Sequence, residues 1–463
     1  MHPPPATPPA DPGLRERVSA ALLTPHPWLD RAVVLAWAAA TGLVVVGFTL
    51  LAEGASHAFA GLTSDGVAGP WVALVVTPLG TVALLAWTRR FAPGAMGSGI
   101  PQVVRALDDD PPAPQLSWLV SLKLSLHKVV LVSGGMLAGL SIGREGPTVQ
   151  VGAGVMLQAR RFLSARTEID AHDLMVAGAA AGIAAAFNTP LGGIVFALEQ
   201  LSRRRGITHS SLVIAAIVLA GLVAVSVFGN LTYFGRLRVQ ELSWSLLVPG
   251  LAVALIAGAA GGLFSRLMIV SAQGLPDRFS RWRRAHPLRF AAGCGLAVAV
   301  IGIASGGHTA GAGYAATRGL LEGQDELPAL FTLLKFCATW LSAWSGVPAG
   351  VFAPSLTIGA GIGHDVATLA GLSREATIPL IALGMVGFLA ATTQGPITAF
   401  IIVMEMVSGH TMVLSLMACA LVASGVSRLL SRPMYAELAA LLPLPAADPP
   451  APASTPPSPR PGP

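Results

Sequence analysis

The chain has 463 residues, 53% of them hydrophobic and only 11% charged, against roughly 25% charged in ordinary soluble domains. With a mean hydropathy of +0.67, this excludes a soluble fold. The net charge of +6 does not indicate nucleic-acid binding, because the arginines sit in short clusters between apolar runs, as in positive-inside loops.

Residues 1–27 are Pro/Ala-rich and are expected to form a disordered tail, without the basic stretch, short apolar core and cleavage site of a signal peptide. Apolar runs then recur at 32–51, 71–87, 174–198, 212–228, 246–264, 290–303, 378–391 and 412–426. A spanning helix takes about 20 apolar residues, and somewhat shorter ones are admissible. The runs lack the alternation of membrane-barrel strands. An all-α polytopic membrane protein follows, with its membrane body at 28–442. Residues 443–463 form a second expected Pro-rich tail, too short for a folded regulatory domain.

Inside that body, Gly143-Arg144-Glu145-Gly146-Pro147 follows an uncharged run at 129–142, and no further charge appears until Arg160. A carboxylate at membrane depth is costly unless it faces a polar path, which makes it a functional candidate. The flanking glycines and proline break the helix, and broken backbone at that depth is tolerated only inside protein or beside water.

The segment has a partner. Residues 143–153 align with 350–360 at an offset of 207 positions, and 188–199 align with 394–405 at an offset of 206. Two matches at nearly one offset argue for duplicated halves, about 100–300 and 310–435. Gly/Pro interruptions in paired positions are the pointer to a midplane substrate site in transporters built from repeats.

Each interruption offers a helix start, with unpaired N–H groups and partial positive charge suited to an anion. The candidate starts are Ser98, as an N-cap within Gly97-Ser98-Gly99-Ile100-Pro101, Glu145, and Val351-Phe352. Taken singly, each Gly/Pro segment is equally a kink or a close helix contact. An intramembrane enzyme would need a nucleophile–base pair, paired aspartates or metal ligands at depth. His308, His364 and His410 are isolated, and Cys294, Cys337 and Cys419 lack ligand spacing. No catalytic residue, metal site or cofactor is therefore expected.

Together, Gly97-Ser98-Gly99-Ile100-Pro101, Gly143-Arg144-Glu145-Gly146-Pro147 and Gly350-Val351-Phe352-Ala353-Pro354 resemble, in order and spacing, the three anion-binding signatures of the CLC chloride channel and chloride–proton antiporter family. The resemblance spans roughly 28–442 and is to a member without C-terminal CBS domains. It implies the CLC-type fold: two inverted-topology repeats with interrupted helices, assembled as a homodimer in the cell membrane. Ser98 resembles the family's central serine, and Tyr435, in Arg432-Pro433-Met434-Tyr435, its central tyrosine. Val351 and Phe352 would offer backbone N–H groups to chloride. Glu145 looks like the external gating glutamate, with Gly146 beside it. Lys128 resembles the basic residue near the pathway, although by itself it reads equally as a snorkelling helix-end lysine.

The implied partners are chloride, protons and the lipid bilayer. An ionised Glu145 is a tethered anion that competes with chloride for one site, and protonation removes its charge. Full exchange also needs a proton route on the other side. The position of the family's internal glutamate falls on Gln200, which cannot exchange protons, although Glu199 adjoins it. Chloride/proton antiport gated by Glu145 is expected, and passive chloride conduction is the alternative. Retention of Ser98 and Tyr435 disfavours a fluoride-exporting subclass.

Overall fold

The structure is a computed structural model that describes residues 25–64, 69–203, 205–229, 234, 244–323 and 327–445. Most of both expected tails, 1–24 and 446–463, lies outside the described residues. The first half of the chain forms α1 (Pro25–Ser64), α2 (Gly69–Phe91), α3 (Ile100–Asp109), α4 (Ala113–Leu119), α5 (Leu122–Leu137), α6 (Glu145–Met156), α7 (Ala171–Phe187), α8 (Pro190–Phe196) and α9 (Ser210–Phe228). The second half forms α10 (Leu247–Gln273), α11 (Arg278–Ala285), α12 (Pro287–Ala304), α13 (Tyr314–Glu322), α14 (Phe331–Trp344), α15 (Phe352–Leu369), α16 (Arg374–Thr393), α17 (Pro396–Val407), α18 (Val413–Leu430) and α19 (Met434–Ala440). The described chain is thus helical throughout, with eight helical segments long and apolar enough to cross a membrane.

Two of those segments mark the extremes of the bundle. Within its apolar window α16 is 83% buried by protein, whereas α2 is only 28% buried. The exposed Trp71, Val75 and Leu79 of α2 are what a lipid-facing helix presents, and α16 is enclosed by α15, α10 and α18.

Breaks occur where residue chemistry demands them. The run 174–198, expected as one span, is two helices. Asn188 ends α7 in the left-handed region (φ 58°), and Pro190 opens α8 at a position where a missing N–H does no harm. The second half repeats the device with Gln394 (φ 51°) and Pro396. A span missed in the sequence, Ala113–Leu137, is α4 plus α5. Its lysines mask the apolar run, and Ser121 interrupts it in extended conformation while capping Leu124 N.

The halves correspond physically. Gly143 N donates to Gly350 O (2.7 Å) and Gly350 N to Gly143 O (3.1 Å), a reciprocal antiparallel pair. α6 crosses α7 where Gly152 meets Gly178, and α15 crosses α16 where Gly359 meets Gly384. A methyl group on either first-named glycine would collide with the carbonyl of its partner. Glu405 of α17 accepts from Leu191 N (3.3 Å) and Gly192 N (2.8 Å) at the start of α8. Glu199, just after α8, accepts from Ile397 N (3.1 Å) and Thr398 N (2.7 Å) at the start of α17. Each half therefore caps a helix of the other.

Candidate functional site

The helix starts α3, α6, α13 and α15 meet inside the bundle, each preceded by a glycine-bearing segment. Gly97 O accepts from Ala349 N (3.2 Å), and a side chain on Gly146 would run into the Ser98 hydroxyl. Ser98 is not the N-cap expected for α3. That position is taken by Gly99, whose φ of 102° suits glycine, and no side chain caps the helix. The Ser98 hydroxyl is thereby released from the helix end. It lies buried without a hydrogen-bond partner among the described residues.

The loop is held from behind. Lys128 is wholly buried rather than snorkelling, and its Nζ donates to Ala95 O (2.8 Å) and Gly97 O (2.7 Å). Gln102 Nε2 donates to Met96 O (2.5 Å) and Gly94 O (3.2 Å), and Gln150 Nε2 to Gly94 O (3.1 Å) and Leu119 O (2.7 Å). The carbonyl oxygens of Gly94, Met96 and Leu119 are thus engaged by these amides, and those of Ala95 and Gly97 by Lys128. Tyr435, on α19 beside α3, sets its phenol toward Ser98. Its oxygen is also buried and has no hydrogen-bond partner among the described residues. Two hydroxyls from distant parts of the chain thus converge. Val351 is the N-cap of α15 and Phe352 its first residue. The Phe352 ring packs against Phe187 at 5.6 Å between centroids.

Glu145 opens α6 and is completely buried. Its Oε1 accepts a hydrogen bond from the Tyr314 hydroxyl and lies 3.8 Å from Arg144 Nε. Arg144 is itself buried, paired through Nη2 with Glu53 Oε1 (2.9 Å) and set over the Tyr314 ring at 5.5 Å. The carboxylate faces the Ala353 N–H in the first turn of α15, and Oε2 has no hydrogen-bond partner among the described residues. A negative charge there lies at the partly positive end of an 18-residue helix.

Glu199 and Gln200 lie apart from this cluster, in a π-helical turn after α8. Both Glu199 oxygens are engaged at α17, as described above. The Gln200 Oε1 accepts from Arg203 Nη2 (3.0 Å), while its Nε2 has no hydrogen-bond partner among the described residues. Glu199 and Arg203 border a cavity of about 510 Å³, shared with Gln394, Arg428, Ser431, Arg432 and Pro433. Three arginines line it, and Arg432 and Pro433 lead directly into the α19 segment that carries Tyr435.

Sequence reasoning missed Tyr314, Glu53 and Lys335. Lys335 lies 207 positions after Lys128 and repeats its geometry, with Nζ donating to Thr309 O (2.9 Å) and Gly311 O (2.8 Å). That lysine was a usable signal, because it marks Gly311-Ala312-Gly313-Tyr314 as the second copy of the Ser98 loop.

A duplicated membrane bundle whose broken helices turn their starts inward around one buried acid is the architecture of an ion transporter. Residues 79–428 match the family described as voltage gated chloride channel, and the chain belongs to that CLC family; its members are transporters, not enzymes. The chain is 29% identical over 390 residues to the H(+)/Cl(-) exchange transporter ClcA of Vibrio parahaemolyticus, covering 80% of this chain and 79% of the relative. It is 31% identical over 364 residues to ClcA of Vibrio cholerae, covering 75% of each. Its fold resembles the crystal structure of a slow cyanobacterial Cl-/H+ antiporter, with TM-score 0.76, 22% identity, and coverage of 89% of this chain and 97% of that one. A CLC-type fluoride/proton antiporter gives TM-score 0.71 at 22% identity over 92% of this chain and 99% of that one.

Proposed function

We propose that this protein exchanges chloride for protons across the cell membrane, with Glu145 as the gate. The observation that carries the reading is the position of the Glu145 carboxylate against the first turn of α15, with the unpartnered Ser98 and Tyr435 hydroxyls in the same cluster of helix starts. Chloride is bound by those two hydroxyls and by the backbone N–H groups of Val351 and Phe352, all neutral donors. Partial charges hold an anion without the full charge of a lysine or arginine, which favours release. Gly146 keeps the approach to Ser98 free of a side chain. The arginine-lined cavity beside Arg432 concentrates anions at one mouth of the path.

An ionised Glu145 fills the place beside α15 that a chloride ion would take. Once protonated it has no charge to offer the helix end, so chloride displaces it and one group couples the two ions. Kinship with proteins named H(+)/Cl(-) exchange transporters supports exchange. Passive chloride conduction is the second reading, and one arrangement favours it: Gln200 cannot carry a proton, and both Glu199 oxygens are occupied by the α17 N–H groups.

Purified protein in liposomes under an outward chloride gradient tests both. Proton uptake that accompanies chloride efflux is the expected result, and chloride efflux without any proton movement establishes conduction instead. In the same assay Glu145→Gln is expected to make chloride efflux independent of pH. Retained pH dependence would rule out the gating role.

A further inference from the structure

The second repeat contains a copy of the Ser98 loop that no anion-binding signature marks. Gly311-Ala312-Gly313 precedes α13 as Gly97-Ser98-Gly99 precedes α3. Gly313 takes the N-cap position with φ 88°, as Gly99 does at 102°. Lys335 clamps the carbonyls of Thr309 and Gly311 as Lys128 clamps those of Ala95 and Gly97. In the first copy the loop delivers the Ser98 hydroxyl. In the second, Ala312 has none to deliver, and the hydroxyl comes from the first helical residue, Tyr314, where the first copy has Ile100.

That hydroxyl donates to Glu145 Oε1. The Tyr314 ring is fixed by Arg144 on one side (5.5 Å) and packs on Phe234 (5.9 Å between centroids). We propose that Tyr314 is a latch for the gate: its hydroxyl holds the ionised Glu145 carboxylate against the start of α15 and so sets the pH at which chloride gains entry. The proposal rests on the gating reading of Glu145.

Among the described residues, the charged and titratable groups around the carboxylate are few. Arg144 lies on its own segment, with Glu53 of α1 reached through it. Tyr314 comes from α13, and Tyr435 stands beyond Ser98 on α19. Lys128 of α5 turns its amine to the Ala95 and Gly97 carbonyls. The first turn of α15 offers only Phe352, Ala353 and Pro354, and α7 meets α6 through Gly178 and Gly182. Arg144 serves both Glu53 and Glu145, and Tyr314 is the side-chain hydroxyl that donates to the gate.

The test compares wild type, Tyr314→Phe, Glu145→Gln and the double variant in liposomes, reading chloride efflux against external pH. Phenylalanine keeps the ring between Arg144 and Phe234 and removes the hydroxyl that donates to Glu145. A bond to a charged group contributes enough that its loss should shift the efflux midpoint upward by about one pH unit, equal to a tenfold lower proton concentration. The double variant should match Glu145→Gln alone, because a latch without its bolt has nothing to hold. Lys335→Met, which loosens the loop but keeps the hydroxyl, should move the midpoint in the same direction by less.

If Glu145→Gln loses pH dependence while the Tyr314→Phe midpoint matches wild type, the latch is refuted and the gate stands. If Glu145→Gln keeps its pH dependence, both fall. If Tyr314→Phe slows efflux equally at every pH and adds to Glu145→Gln, the residue is structural and the latch is refuted.

Discussion

Lys128 and Lys335 are wholly buried, and each amine donates to two backbone carbonyls. Removing either amine strands two buried oxygens, and each orphaned group costs about 1–3 kcal/mol. Lys128→Met is expected to lower the melting temperature in detergent and to weaken chloride binding several-fold by calorimetry, because the loop that aims Ser98 loses its anchor. A variant that binds chloride as wild type does would contradict that role. The residues that touch one another here were unevenly legible in the sequence. Ser98, Glu145, Val351 and Phe352 stand in short Gly/Pro segments whose purpose, an exposed helix start, is written locally. Tyr314 stands in a loop that has kept its glycines but lost the serine and the proline, so its copy of the pattern is faint. Gln102 and Gln150 gave no sign of their function either. An amide that bridges two carbonyls is specified by the loop around it, and nothing in its sequence neighbours records that loop.

At the scale of elements, the reciprocal caps are the clearest product of duplication. Glu199 and Glu405 close an acidic residue of one helix onto the start of its counterpart, where the partial positive charge of the helix favours a carboxylate. Loss of such a cap costs roughly 0.5–2 kcal/mol. Glu199→Gln and Glu405→Gln should therefore each lower stability by a similar amount. The ratio of protons to chloride in Glu199→Gln should stay that of wild type, since both oxygens of this acid are taken by the N–H groups that open α17. A changed ratio in paired flux measurements would return Glu199 to the proton path. The two glycine crossings obey the same logic of near-identity. Gly359→Ala, which drives a methyl group toward the Gly384 carbonyl, should destabilise by about 1–3 kcal/mol, and Gly152→Ala by a like amount. Apolar runs located most of these helices, but they did not reveal the split at Asn188, because alanine and leucine read alike on either side of a left-handed residue.

For the molecule as a whole, the site is a meeting of distant parts: Ser98 near one end, Glu145 and Tyr314 from opposite repeats, and Tyr435 from the last described helix. A cluster of this kind cannot form before most of the chain has packed. Tyr435→Phe should accordingly weaken chloride binding without changing the fold, read as reduced affinity by calorimetry with an unchanged circular-dichroism spectrum. Unaltered affinity would remove Tyr435 from the anion site. Fold class and duplication were readable because hydropathy and spacing are global patterns. Which residue of one half touches which residue of the other was not, since the pseudo-twofold relation fixes partners in space rather than along the chain.

The reciprocal hydrogen bonds between Gly143 and Gly350 carry a mechanical consequence. They fasten the two interrupted segments to each other as one rivet on the pseudo-axis, so neither backbone can hinge away while the other stays. On the proposed gating reading, motion at the centre is then left to side chains: the Glu145 carboxylate turning on its own χ bonds inside a stationary frame. Such a machine would look nearly the same in every state of its cycle, and its two riveted amides would exchange with deuterium together, slowly, whether or not ions were passing.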